Sequence, residues 1–336
     1  MMDILAYCFL VFMYAIIHYT CVYRKDLVEV GLMSLVGVVA AFVLYYGTMF
    51  LQATSHEIRS GSVLSKNVYY DPYTETYSCG DNTCTRQVPR WRWDVEADIG
   101  TYSEYSSSKM FVPDIYEAAK LGEPYAETFM FMNYQYLSNN TVMMDKQHRY
   151  DGWLPSYPSV YSGYKVNRGI SNILSPATLS QKLSEAHKVW GPTYQVNVIV
   201  CVVGSNSAGF TYALRNAWVG GKKNDVVLVL YVEGKNVVNA EAFSRSTQTK
   251  RTTEYADFET TLIENAKRIG EYDEDKIIEV LDDALPYFER EDLSKYSFLQ
   301  AEYAAPLWLN AVHLALIGLL MFGSVQQYRK NRPYRY

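Results

Sequence analysis

At 336 residues with a formal net charge of -5, the chain has room for one or two domains and gives no electrostatic reason to expect nucleic acid. Hydrophobic residues make up 49% and charged residues 20%, which excludes both a disordered chain and a wholly buried membrane bundle. Of the five cysteines, only Cys79 and Cys84 look like a pair.

In chain order, the first features are apolar runs. Ile4–Tyr23 and Val30–Leu51 are uncharged, and Leu307–Val325 forms a third run near the end. Each is long enough to cross about 30 Å of hydrocarbon. Arg24 and Lys25 follow the first run, and Arg329, Lys330, Arg332 and Arg335 follow the third. Basic residues mark the cytoplasmic side. The expectation is an integral membrane protein of a host or bacterial inner membrane with three spans. Its N-terminus and residues 54–305 are extracytoplasmic and its C-terminus cytoplasmic. Four segments follow: 1–53 with two transmembrane helices, 54–165 rich in β structure, 166–305 with an α/β domain, and 306–336 with the last helix and a basic tail.

Residues 55 to about 165 read as antiparallel β. A strand-like stretch runs from His56 to Tyr70. Tyr73 to Val88 suggests a hairpin whose tip contains Gly80, Asp81 and Asn82, the side chains that favour turns. Arg90 to Asp98 alternates polar and apolar residues, as a half-buried strand does. Tyr125 to Leu137 continues the pattern. Cys79 and Cys84 flank the hairpin tip, and a disulfide pinning it is the favoured reading over half of a metal site. Asn139, Asn140 and Thr141 form a glycosylation sequon.

The second half centres on Gln195 to Val232. Two β-branched runs, Val196–Val203 and Val226–Val232, flank a helical stretch from Ala208 to Trp218. That is the pattern of two buried parallel strands joined by a crossover helix. Pro176 to Trp190 reads as an amphipathic helix ended by Gly191 and Pro192, with His187 on a surface helix. Val237–Phe243 suggests a further strand, and Thr253–Ile269 and Asp275–Phe288 further helices.

The order of helix, apolar strand, helix ending in Trp218, then Gly220, Lys222, Asn224 and the run from Val226, resembles the TPM domain family over roughly residues 176–285. Ala213 and Leu214 belong to the same match. The resemblance implies a membrane-anchored α/β domain, with phosphatase activity or calcium binding in some members. Asp225 stands where the family commonly has Gly, and the Gly-rich stretch after the third strand is absent. With Ser55 to Ile58, Gly61 to Lys66, the Cys-bearing hairpin, Asp98 to Thr101, Tyr161 to Arg168 and Gly220 to Asp225, the chain also looks, across most of 54–305, like membrane proteins of unassigned function from tailed phages and their bacterial relatives. The fold class so read is an α+β membrane protein with three transmembrane helices, an antiparallel β-rich region and a TPM-like α/β sandwich.

Two candidate sites follow. Ser205 and Asn206 after the first core strand, with Glu233 after the second, lie at the carboxyl ends of the strands, where open α/β sheets bind ligands. They could hold a hard cation, Ca or Mg. Lys222, Asn224 and Asp225 form a second ligand-binding candidate at the opposite end. The competing readings are a helix N-cap at Ser205 and Asn206 and a solvated turn over 222–225. No nucleophile elbow or phosphate loop is present. The leading functional expectation is a membrane-anchored extracytoplasmic binding or scaffold protein. Its partner would be another envelope or viral protein, with a homo-oligomer as a further option. The alternative is a divalent-metal-dependent phosphoesterase of the TPM type. A pore component is the weakest reading.

Overall fold

The computed structural model describes residues 42–138, 150–245 and 257–303, with isolated positions at 39, 308, 309, 311, 312, 315 and 319. The chain divides into two compact units. One comprises Met1–Ser55, Phe131–Val142 and Leu293–Tyr336, and the other His56–Met130 and Met143–Asp292.

The larger unit holds long strand β1 (Thr54–Tyr70) from His56 onward and continues through β2 (Tyr73–Cys79), β3 (Asn82–Val88), β4 (Trp91–Ala97) and β5 (Gly100–Ser106). A five-residue helix, α1 (Asp114–Ala118), precedes β6 (Pro124–Met132). Strands β5, β4, β1 and β6 pair in that order as one four-stranded sheet. A register shift between Val63 and Ser65 bends β1, as an extra residue in one strand of a pair does. The inner face is Val63, Val95, Ala97 and Tyr125, packed with Ala119 and Tyr164. Among the described residues, strands β2 and β3 pair only with each other, as a separate two-stranded ribbon.

Short strands β7 (Val160–Tyr161), β8 (Lys165–Val166) and β9 (Gly169–Ser171) lead into helix α2 (Ala177–Tyr194). Then come β10 (Asn197–Gly204), α3 (Phe210–Ala217), β11 (Asp225–Glu233), β12 (Asn236–Ser244), α4 (Phe258–Lys267) and α5 (Glu274–Ala284). The second sheet has the order β12, β11, β10, β9. Strands β9, β10 and β11 run parallel, and β12 is antiparallel to β11. Both faces of the central strands are covered, which is why β10 and β11 read as continuous apolar runs. Val198, Val200, Val202, Leu228 and Leu230 face Leu179, Leu183 and Trp190 of α2 and Leu262, Ile277 and Leu281 of α4 and α5. Ile199, Cys201, Val227 and Val229 face Phe210 and Leu214 of α3, with Trp218 beyond its end. The crossover unit expected around Gln195–Val232 is therefore present.

Two local expectations are corrected. Helix α2 does not stop at Gly191 and Pro192 but runs to Tyr194, with Pro192 inside its last turn and Gln195 in the left-handed conformation as its cap. Packing decides this: Trp190 and Gly191 are buried, and a Cβ at Gly191 would fall 2.0 Å from the Ser60 carbonyl oxygen. His187 is not on the surface. It is 1% exposed, because it continues the Leu179, Leu183 stripe at four-residue spacing.

The smaller unit contains a helical stretch over 42–53 and two 3-10 segments, Tyr134–Leu137 and Leu293–Glu302. Tyr45, Ala53, Leu137 and Tyr303 form its core, with the Tyr45 and Tyr303 rings 5.2 Å apart. Here the membrane reading is overturned. Among the described residues, no helix is long and apolar enough to cross a membrane. Ala53 is followed at once by β1, and Tyr45 is buried against Tyr303. The expected Ile4–Tyr23, most of the start of Val30–Leu51 and most of Leu307–Val325 lie outside the described residues, as does the sequon at Asn139. The three-span fold class, and the localisation with 54–305 extracytoplasmic and the C-terminus cytoplasmic, are withdrawn on this finding. What stands is a mixed α/β fold with a curled antiparallel sheet and a mostly parallel one.

Candidate functional site

At the carboxyl ends of the parallel strands, the register brings the first expected set into one region. Gly204 pairs with Val232, and the Ser205 amide donates to the Val232 carbonyl at 3.0 Å. Ser205, Asn206 and Glu233 are all exposed. They supply one carboxylate, whereas a bound calcium takes six to eight oxygens and usually several carboxylates. Among the described residues, no group of three or more His, Cys, Asp or Glu could hold a metal. The donor set does not fit a divalent cation.

The other expected set, Lys222, Asn224 and Asp225, lies at the opposite end of the sheet and is built into a buried network. Asn197 and Asp225 open β10 and β11 and are register partners. Asn224 is 0% and Asp225 1% exposed, so 222–225 is not a solvated turn. Asp225 Oδ1 accepts from Asn197 Nδ2 at 2.8 Å and from the Tyr157 hydroxyl at 2.9 Å. Its Oδ2 accepts from the Lys222 amide at 2.6 Å. Asn197 Oδ1 accepts from Arg168 Nε at 2.8 Å, and Arg168 Nη2 donates to Ser60 Oγ. Asn224 Nδ2 donates to the Ile58 carbonyl at 2.7 Å. The network thus ties β1 to the ends of β10 and β11. Beside it, buried Glu57 is ion-paired with Arg59 at 2.7 Å, with Arg290, and with Lys223 at 3.9 Å.

Burial dominates the electrostatics here. It lowers the Arg168 pKa to about 9, against the opposing pull of Tyr157 and Asp225. It raises the Asp225 carboxyl despite the hydrogen bonds from Asn197, Lys222 and Tyr157. Burial, then the neighbouring Asp225 charge, holds the Tyr157 hydroxyl well above its ordinary value. His187 is lowered well below 6.5, first by burial and then by the charge of Arg168. Its Nδ1 donates to the Leu183 carbonyl at 2.6 Å and its Nε2 accepts from the Val198 amide at 2.9 Å. Both ring nitrogens are therefore used in holding α2 to β10. Sequence reading missed Arg168, Asn197, Tyr157, Ser60 and Glu57. The one legible signal was Asn197, a polar residue at the mouth of an otherwise apolar strand.

The β2–β3 ribbon has a different character. Its register pairs Tyr73 with Val88, Glu75 with Arg86 and Tyr77 with Cys84. Alternation puts Tyr73, Glu75, Tyr77, Cys79, Cys84, Arg86 and Val88 on one face. Thr74, Thr76, Ser78, Thr83, Thr85 and Gln87 occupy the other. The expected disulfide joins Cys79 and Cys84 across the tip. Tyr73 and Tyr77 are exposed, as are Tyr70, close by in sequence, and Tyr105, which shares Arg90 with Tyr73. Cations bridge the rings: Arg86 lies 5.6 Å from the Tyr77 centroid, and Arg90 lies 5.1 Å from Tyr73 and 4.2 Å from Tyr105. Tyr70 packs on Trp91 at 5.2 Å, and Lys109 lies 5.4 Å from the Trp91 ring. One face of the ribbon thus carries aromatic and guanidinium groups, with Tyr73 and Tyr77 exposed, and the other carries hydroxyls.

No family model, curated protein or solved structure matches the chain.

Proposed function

We propose that this chain is a binding protein, without catalysis of its own, that docks a protein partner on the aromatic face of the β2–β3 ribbon and the adjoining Tyr70, Arg90 and Tyr105. The observation that carries this reading is the two-faced ribbon. An amphipathic β-ribbon normally lays its apolar face on a core, and this one leaves Tyr73 and Tyr77 in solvent. Tyr, Trp and Arg are the side chains most enriched where proteins bind one another. Stacked guanidinium and phenol groups keep large flat surfaces ordered before contact. The disulfide pins the tip, which reduces the entropy lost on docking. Seven residues at about 3.4 Å each make a ribbon roughly 24 Å long, suited to one side of a standard interface of about 800 Å².

The test is affinity capture by the full chain from its native cells, run in parallel with Y73S/Y77S and with T74A/T76A. A partner recovered by the wild type and by T74A/T76A, and lost with Y73S/Y77S, supports the reading. A partner recovered equally by all three, or recovery of none, refutes it.

A further inference from the structure

Strands β6 and β8 and helix α2 enclose a cleft of about 400 Å³, within the 300–1,000 Å³ range of small-molecule sites. Arg168 and Ser60 line it, together with Lys165, Tyr161, Gln181 and Ser184. Arg168 is 1% exposed. Its Nε and Nη2 are bonded to Asn197 and Ser60, while Nη1 makes no hydrogen bond among the described residues. The nearest carboxylate in its network, Asp225, is reached only through Asn197. A buried guanidinium normally has a counter-charge in direct contact, because an unpaired charge away from water is costly. The two carboxylates lining the cleft are already engaged. Glu123 pairs with Lys165 at 3.8 Å and accepts from the Tyr164 hydroxyl at 3.2 Å, and Glu185 pairs with Lys188 at 2.7 Å.

From this geometry we infer that the cleft is a binding site for a small oxyanion, a carboxylate or a phosphate carried on a molecule of modest size, with Arg168 as its anchor. The planar guanidinium matches either oxyanion. Its charge persists at neutral pH, since burial lowers the pKa only to about 9. The Tyr161 ring and the Gln181 and Ser184 side chains surround the remainder of the ligand. The aromatic ribbon plays no part in this inference, so either can fail alone.

The experiment is a thermal-shift titration of the full chain at constant ionic strength with inorganic phosphate, with glutarate and with chloride. Arg168→Met removes the anchor. Gln181→Trp fills the mouth from an exposed position and leaves the buried network intact. The expected result is a saturable rise in midpoint with phosphate or glutarate and none with chloride. It is abolished in R168M and needs at least tenfold more anion in Q181W. Which anion acts separates a phosphate ligand from a carboxylate ligand. Should R168M fail to fold, the Q181W comparison still decides. No saturable shift with either oxyanion, or one unchanged in Q181W, overturns the inference.

Discussion

Asn197→Ala probes the buried network at its hinge. Asn197 is 0% exposed. It accepts from Arg168 Nε and donates to Asp225 Oδ1, each at 2.8 Å. Both bonds involve a charged partner, and such bonds contribute about 1.5–3 kcal/mol each. The truncation leaves a buried guanidinium and a buried carboxylate each short of one partner. Two such bonds together contribute about 3–6 kcal/mol. A loss of about 4 kcal/mol follows, and at a urea slope of about 3 kcal/mol/M the midpoint falls by roughly 1.3 M. Urea unfolding followed by tryptophan fluorescence reads this directly. Asn206→Ala, at an exposed loop position, serves as the control and should stay within about 0.5 kcal/mol. A loss under about 1 kcal/mol for Asn197→Ala would refute the reasoning, because it would mean that water enters and satisfies both charges.

Other predictions follow from single contacts. His187 is folded in its neutral form with a lowered pKa, so the unfolded chain binds a proton that the folded chain does not. Stability is full above about pH 6.5 and falls on acidification by up to about 1.4 kcal/mol per pH unit; urea midpoints at pH 7.5 and 5.5 that coincide would contradict this. Gly191→Ala places a Cβ 2.0 Å from the Ser60 carbonyl oxygen and should cost about 3 kcal/mol, measured as a fall in urea midpoint, whereas an unchanged midpoint would show that α2 can move away from β1. Reducing the Cys79–Cys84 bond should speed amide exchange between Tyr77 and Thr83 while leaving the midpoint of the α/β sheet unchanged, since among the described residues the ribbon pairs with no other strand; loss of the whole fold on reduction would be the contrary result.

How far these features were legible follows from their range. Strands β10 and β11 announced themselves because β-branched residues in unbroken runs have few other places to go than between two layers. The ribbon and its disulfide were legible from alternation and turn residues alone. His187 was misread although its signal was present: Leu179, Leu183 and His187 share a four-residue spacing, and only its polarity argued for the surface. Helix α2 outran Gly191 and Pro192 because a contact with Ser60, distant in sequence, outweighs the local cost. Strand β9 is three residues long, too short for any period to show. The expected second span failed for a similar reason: an apolar run has the same composition whether it packs on Tyr303 or on lipid. The network of Arg168, Asn197 and Asp225 joins segments widely separated in sequence, so no local pattern could reveal that 222–225 is buried.

The reading of the ribbon as a docking face rests on a difference between two sides of one element. A photo-cross-linking residue placed at Tyr77, and separately at Thr76, in the full chain within its native cells compares those sides at adjacent positions. The account predicts a discrete covalent adduct with one partner protein from position 77 and none from position 76. Equal adducts from both positions, or none from position 77, would contradict it.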